Sequence, residues 1–289
     1  MKKFLERSPL VHAVVHLRFS DVPSLEKMSE DNLSSIHSKM IEQGFPEKLK
    51  SKAEIIDIVF EHDSLHPKQN ITTKNRYLFR ASGEREIIEI TGSSLLVKSS
   101  NYSNFDDFYH KFINVLKSCI EVFPEFNSAL MKNVGVRYVN VIAPKGSRNL
   151  TDYMQEWLLP PCVKGMSDFN HLHGVAVKLF ETGKDQVLRL QFDELKSHDG
   201  RVMKVLPDNL IERDKDCGLI ISGQDSWMSV GGGTYGLLDV DHIHNFQASP
   251  VMNPDDIGRV IISLHDGAEK VFWSAISEVA KNEWGYSEG

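Results

Sequence analysis

The sequence has few cysteines and no long apolar run. Its three cysteines, Cys119, Cys162 and Cys217, are far apart and odd in number, so neither a disulfide framework nor a zinc knuckle is predicted. No stretch approaches the roughly 20 apolar residues of a membrane-spanning helix. The N-terminal segment is interrupted by charged residues and histidines, unlike the apolar centre of a signal peptide. We therefore expect a cytoplasmic protein with reduced thiols and no membrane partner.

Basic residues are also fewer than acidic ones. The sequence has 33 Lys and Arg against 40 Asp and Glu, which gives a net charge of −7. This balance argues against a general binder of nucleic acid or anionic membranes. The deficit lies mostly in residues 131–289, with 16 basic against 22 acidic residues, whereas residues 1–130 have 17 against 18. An acidic second half suits a basic partner.

Recognisable catalytic motifs are lacking as well. No GxSxG or HExxH is present, and the glycine run at 231–233 has neither the lysine nor the Ser/Thr of a phosphate-binding loop. The acidic pairs Asp106–Asp107 and Asp255–Asp256 are more easily explained as charges in the first turn of a helix than as catalytic carboxylates. The sequence thus predicts no enzyme activity and no cofactor, although a divalent metal is left open.

The hydrophobic pattern indicates that a module occurs twice. VHLRF at 15–19 aligns with VGVRY at 134–138 on their Arg-aromatic pairs, and each lies in a strand-like alternation of apolar and polar residues. The first unit is predicted to contain a strand at 11–19, a helix after Pro23, strands at 54–60, 75–82, 86–91 and 94–100, and a helix at 105–123. The second unit is predicted to contain a strand at 134–142, a helix at 150–158, strands at 174–181, 185–195, 217–223 and 234–246, and a helix at 253–284 with a possible kink at Gly267.

The predicted fold class is therefore α+β, with two tandem β-α-β-β-β-β-α units at residues 1–130 and 131–289 packed as one body. Antiparallel sheets joined edge to edge would form a curved, saddle-like surface that resembles the TATA-binding-protein-like fold. The alternative is a helix-grip arrangement, in which the sheet wraps around one long C-terminal helix. In either case an open, concave sheet face would be the place where a partner lies.

A polar stripe is predicted on the outer face of the two leading strands. His12, His16 and Arg18 share one face of the first strand, and Arg137 takes the matching place in the second unit. These side chains suit the carboxylates or phosphates of a partner. The equally weighted alternative is that the arginines pair with acidic residues on neighbouring strands.

Two HxH steps are the candidate metal ligands. His171 and His173 stand in NHLHG, and His242 and His244 stand in DHIHN. Residues i and i+2 of a strand share a face, so each pair can chelate a metal through imidazole nitrogens, and the two pairs together would define a metal-dependent hydrolase. Solvated strand histidines are the favoured interpretation.

A loosely basic stretch supports a third hypothesis, a nucleic-acid-binding sheet face. Lys74, Arg76, Arg80 and Arg85 would contact phosphates, and the aromatic residues between them would stack on bases. Acidic residues are interspersed throughout the same stretch, so a mixed solvated face is the favoured interpretation.

Several segments resemble a sporadically distributed, largely uncharacterised bacterial family of about this length. They are SPLVHAVVHLRF, VGVRYVNVI, LLDVDH and LHDGAEKVFWSAIS with the later EWG. The resemblance implies no catalytic residues, and His12 stands where the family pattern has an acidic residue. The family's scattered distribution is similar to that of genes in mobile defence or toxin-neutralising cassettes. We therefore expect a non-enzymatic binding or regulatory protein whose partner is a protein, such as a neighbouring effector or toxin; self-association is left open.

Overall fold

The computed structural model of the protein describes residues 3–59, 68–161 and 172–289, with side chains omitted at 54–59 and 68–72. The described strands are β1 Lys3–Leu5, β2 Leu10–Phe19, β3 Glu47–Val59, β4 Lys68–Arg80, β5 Glu86–Thr91, β6 Ser94–Ser99, β7 Met131–Ile142, β8 His173–Gly183, β9 Gln186–Lys196, β10 Thr234–Asn245 and β11 Tyr286–Glu288. The described helices are α1 Pro23–Glu26, α2 Glu30–Glu42, α3 Phe105–Val122, α4 Leu150–Tyr153, α5 Pro254–Ala275 and α6 Glu278–Glu283.

Nine of these strands form one antiparallel sheet in the order β3-β4-β5-β6-β2-β7-β10-β9-β8. Strands β2 and β7, which open the two halves of the chain, are neighbours near the middle. The strands of the first half continue on one side of this pair and those of the second half on the other. Strands β1 and β11 form a separate ribbon that joins the two ends of the described chain.

One face of the sheet carries the larger core. Val15 and Leu17 of β2 and Val134 and Val136 of β7 are fully buried and belong to the same apolar cluster as residues of α2, α3 and α5. The period-2 alternation of the strands turns these side chains toward the helices, whose own apolar stripes face them. Residues from both halves share this core.

The opposite face is crossed by residues 197–233, which connect β9 to β10 and which we call the strap. Trp227 of the strap is buried in a cluster with Val139 of β7 and Leu237 of β10. Farther along the sheet, Cys217 of the strap packs on Leu78 and Ile87. The strap therefore contacts strands of both halves, and this face is partly covered.

The α+β class and the large antiparallel sheet are confirmed, but the predicted strand at 217–223 is wrong. This segment belongs to the strap, where Cys217, Leu219 and Ile221 pack on the sheet instead of extending it. Ile220 is exposed, and its amide donates to the carbonyl of Glu84 at 2.8 Å. The second half consequently has one strand fewer than the repeated pattern requires. Duplication and a saddle shape stay predictions.

The predicted C-terminal helix at 253–284 is two helices. Asn253 begins α5 by accepting from the amides of Asp255 and Asp256, while Ser277 accepts from the amide of Ala280 and begins α6. Among the residues with described placement, none of the helices is long and apolar enough to cross a membrane.

Gly267 permits a close approach of α5 to β10, while α5 is continuous around it. A Cβ atom at Gly267 would lie 2.6 Å from Cε1 of His242 on β10. The ring of His242 is held there, because its Nδ1 donates to the carbonyl of Leu264 at 2.7 Å and its Nε2 accepts from Thr182 Oγ1 at 2.6 Å. The role of Gly267 is therefore to let α5 pack closely against β10.

We expect Gly267→Ala to lower the free energy of unfolding by about 1–2 kcal/mol, because overpacking outweighs the gain in helix propensity of roughly 1 kcal/mol. Gly218→Ala is the matched control, since a Cβ at Gly218 would meet its nearest neighbour at an ordinary 3.7 Å. Urea unfolding of both variants measures the difference. Equal stability of the two variants would contradict the packing role.

Candidate functional site

The predicted polar stripe lies on the strap side of the sheet, and its four residues differ in exposure. His12 and Arg137 are buried, His16 is half-buried and Arg18 is exposed. Val14 of β2 faces Arg137 across the central strand pair. The stripe is therefore largely an interior feature, and Arg18 is its exposed member.

Arg137 is paired within the chain. Its Nε and Nη2 donate to the two carboxylate oxygens of Asp239, both at 2.7 Å, and Nη2 also donates to Oδ1 of Asn209 in the strap at 3.0 Å. Burial alone would lower the pKa of Arg137, but the hydrogen bonds and charge of Asp239 outweigh it and raise that pKa. Arg137 therefore pairs with an acidic residue on a neighbouring strand, which is the alternative to partner binding. A bidentate contact is the strong form of an arginine–carboxylate pair.

The two histidines of β2 are held neutral. Burial, followed by the charges of Lys98 and Arg137, lowers the pKa of His12 to about 3. The pKa of His16 is lowered to about 4, again chiefly by burial. The His16 ring lies over Gly135 of β7, where a Cβ atom would stand 2.3 Å from Cε1. Neither imidazole carries a positive charge at neutral pH, so neither attracts an acidic partner through charge.

The basic set proposed for nucleic acid is engaged with other groups of the same chain. Arg76 binds Glu89 at 3.0 Å and Glu212 of the strap at 2.5 Å. Arg80 binds Glu47 at 2.7 Å and donates to two strap carbonyls.

The remaining two members of that set are also engaged. Lys74 lies 3.5 Å from Asp21, and Arg85 donates to Ser222 Oγ at 2.5 Å. Arg76, Arg80 and Arg85 thus join the strap to the first half of the chain, and Arg76 and Arg80 are paired with carboxylates.

Among the described residues, His173 of the first HxH step does not meet the second step. His171 lies outside the described residues, and His173 is exposed at the end of β8. His173 is opposite Leu195, while His242 is opposite Leu188. Seven residues of β9 separate these places, or about 23 Å at the usual rise of a strand.

The second HxH step has few ring nitrogens with which to bind a metal ion. Both ring nitrogens of His242 are engaged with Leu264 and Thr182, and the His244 ring contacts Phe246 edge to face at 4.7 Å. Within the described ranges, no group of three or more His, Cys, Asp or Glu is arranged to hold a metal ion.

The most exposed apolar surface follows β8, the strand at one edge of the nine-stranded sheet. Val175, Val177 and Leu179 alternate on the strap side of the sheet and are 46%, 51% and 68% exposed. Their cross-strand neighbours on β9 are the polar residues Asp193, Gln191 and Arg189. Further exposed apolar residues of this region are Trp157, Leu172, Phe180 and Val187.

This edge surface combines an exposed strand edge with exposed apolar side chains, a combination that natural proteins usually avoid. The outer backbone groups of β8 have no strand partner among the described residues, and an exposed strand edge is a template for another strand. An exposed apolar patch marks an interaction surface. The alternation of GVAVKLFE predicts a strand, but the sequence carries no signal that places this strand at an edge.

A cavity of about 590 Å³ lies on the helix side. It is bounded by β1, the start of α3, residues 262–273 of α5 and the sheet, and its volume is typical of small-molecule sites. Its lining residues come from distant parts of the chain, such as Lys3, Tyr102, Tyr138 and Glu269. The sequence carries no signal for the cavity, because it forms only where segments 3–5, 102–110, 138–140 and 262–273 come together.

Comparisons of the sequence with models of known protein families and with curated proteins find no match. The resemblance to a bacterial family therefore stays a prediction, and the function has to be argued from the geometry.

We expect the buried His12 to make stability fall in acid. The unfolded chain has a histidine pKa near 6.5, so between that value and the folded value of about 3 the unfolded state binds more protons. Stability is full above pH 6.5, and between pH 7 and pH 5 this residue should cost about 2 kcal/mol. Urea unfolding at the two pH values measures the loss.

His12→Asn should reduce that pH-dependent difference by about the same 2 kcal/mol, whatever its effect on stability at pH 7. His198→Asn is the matched control, because the His198 side chain is 77% exposed. If wild type and His12→Asn lose equal stability between pH 7 and pH 5, His12 does not titrate as its burial demands.

Proposed function

We propose that the protein is a non-enzymatic binding protein that engages a protein partner by strand addition at β8. The observation that carries the proposal is the row of Val175, Val177 and Leu179 on an edge strand whose outer backbone groups have no strand partner among the described residues. A partner segment in extended conformation would satisfy these backbone groups and cover the apolar row at the same time.

The partner segment is defined by the chemistry of this edge. Strand addition uses main-chain hydrogen bonds for affinity, and alternate side chains give specificity. The segment should therefore carry apolar residues at every second position, which would extend the row of Val175, Val177 and Leu179. Because residues 131–289 have 16 basic against 22 acidic residues, a segment with basic flanks is favoured by charge.

The cellular setting of the proposal comes from the bacterial resemblance. A cytoplasmic effector or toxin encoded beside the protein is the first partner to test, with neutralisation or assistance as the outcome. We also keep the expectation of two related modules on a saddle-like sheet, for which the strand order on either side of the β2–β7 pair is the support.

Neither alternative function has a favourable observation among the residues whose placement is described. The basic set is engaged with groups of the chain itself. The metal hypothesis lacks a convergent ligand group there. A gel-shift titration and elemental analysis remain simple controls for both.

Site-specific photo-cross-linking tests the proposed edge. A photo-reactive phenylalanine analogue at position 179 should cross-link one protein partner in cells, through an extended segment identified by mass spectrometry. The same analogue at Val279 of α6, which is also exposed, should give no such product. Cross-links to the same proteins at both positions, or only to copies of the chain itself, would contradict the proposal.

Val177→Lys should weaken the partner's affinity by at least about tenfold, or about 1.4 kcal/mol, because a charge replaces the central apolar contact. Val279→Lys is the matched control and should leave affinity unchanged. Isothermal titration with the cross-linked partner measures both. A dimer of wild type in light scattering that Val177→Lys dissociates would instead assign this edge to a second copy.

A further inference from the structure

The helix-side cavity has walls made largely of aromatic rings. Tyr102 and Tyr138 meet edge to face with ring centroids 5.9 Å apart, and Phe272 and Trp273 do so at 5.3 Å. Phe105 also lines the cavity. Rings in several orientations present both faces and edges to the enclosed volume, and ring faces are electron-rich.

One of these rings already holds a cation of the chain. The ammonium nitrogen of Lys3 lies 5.4 Å from the centroid of the Trp273 ring, within the distance at which cation–π attraction operates. The indole nitrogen of Trp273 donates to Glu269 Oε1 at 3.0 Å. This hydrogen bond fixes the ring and places a carboxylate beside it.

The charges of the lining are predominantly negative. Asp106, Asp266 and Glu269 supply three carboxylates, whereas Lys3 supplies one ammonium group. His265 also lines the cavity, and burial lowers its pKa despite the opposing charges of Glu269, Asp266 and Asp106. His265 is therefore neutral at pH 7 and does not offset the carboxylates.

The buried end of the cavity is a fixed polar chain. The hydroxyl of Tyr138 lies 3.0 Å from Nδ1 of His265, whose ring stacks on Phe105 with centroids 3.8 Å apart. Tyr102 is hydrogen-bonded to Tyr138, and burial is the main cause that raises the pKa of both hydroxyls. Both tyrosines stay uncharged, so they add hydrogen-bonding oxygen atoms without adding charge.

We propose that this cavity binds a small organic cation, an amine or a quaternary ammonium compound. The positive group would lie against the aromatic walls near Glu269, and the remainder of the ligand would fill the apolar part of the volume. Aromatic boxes with nearby carboxylates stabilise such cations through ring faces and charge together. An organic anion would meet three carboxylates.

A pair of ligands of equal shape tests the role of charge on the wild-type chain alone. Choline and its neutral isostere 3,3-dimethyl-1-butanol differ in the positive nitrogen. Calorimetry, supported by tryptophan fluorescence, should show choline binding about tenfold more tightly. A ratio below about threefold, or no binding of choline, overturns the proposal. A larger ratio supports it.

Variants then locate the site. Glu269→Gln should weaken benzyltrimethylammonium binding by about tenfold, because it removes a carboxylate while the amide can still accept from Trp273. Glu42→Gln is the matched control: Glu42 is exposed at the end of α2 and does not line the cavity. Equal affinities of the two variants, or benzoate binding more tightly than benzyltrimethylammonium, overturn the assignment. Thermal melts show whether each variant is folded. If Glu269→Gln is unfolded, the comparison of choline with 3,3-dimethyl-1-butanol on the wild-type chain decides whether the proposal holds.

Discussion

The pairing of β2 with β7 is the interaction on which the rest of the structure depends. It brings Val15 beside Val136 although more than a hundred residues separate them in sequence, and it merges two short sheets into one. On the helix side, the pair presents a continuous apolar surface. On the other side, the same pair presents His16 over Gly135 and the guanidinium of Arg137, so the two faces need different coverings.

The strap covers part of the second face of the sheet and supplies partners for the charged groups on it. Charged groups on a partly covered sheet are costly unless each finds a partner. Strap residues Asn209 and Glu212 supply oxygen atoms to Arg137 and Arg76, and Trp227 covers the apolar positions between the charges. Arg137 of the predicted binding stripe and Arg76, Arg80 and Arg85 of the predicted basic set are, in the folded chain, groups that hold the strap on the sheet.

The sequence predicts elements with strong periodicity and misses features that depend on tertiary contacts. Alternation identifies β2 and β7, and capping residues such as Asn253 mark the start of α5. Residues 217–223 are misread because they are apolar enough for a strand, whereas in the strap Cys217, Leu219 and Ile221 pack against the sheet face. The cavity and the edge position of β8 depend on contacts between segments far apart in sequence, such as the contact of Lys3 with Trp273.

The β1–β11 ribbon makes the order of synthesis matter. Lys3 pairs with Glu288 and Leu5 with Tyr286, while Lys3 and Leu5 also line the cavity. One wall of that cavity therefore stays unfinished on the ribosome until residues 286–288 have emerged from the exit tunnel. Ligand binding at this cavity, as proposed above, would therefore require β1 to be paired with β11.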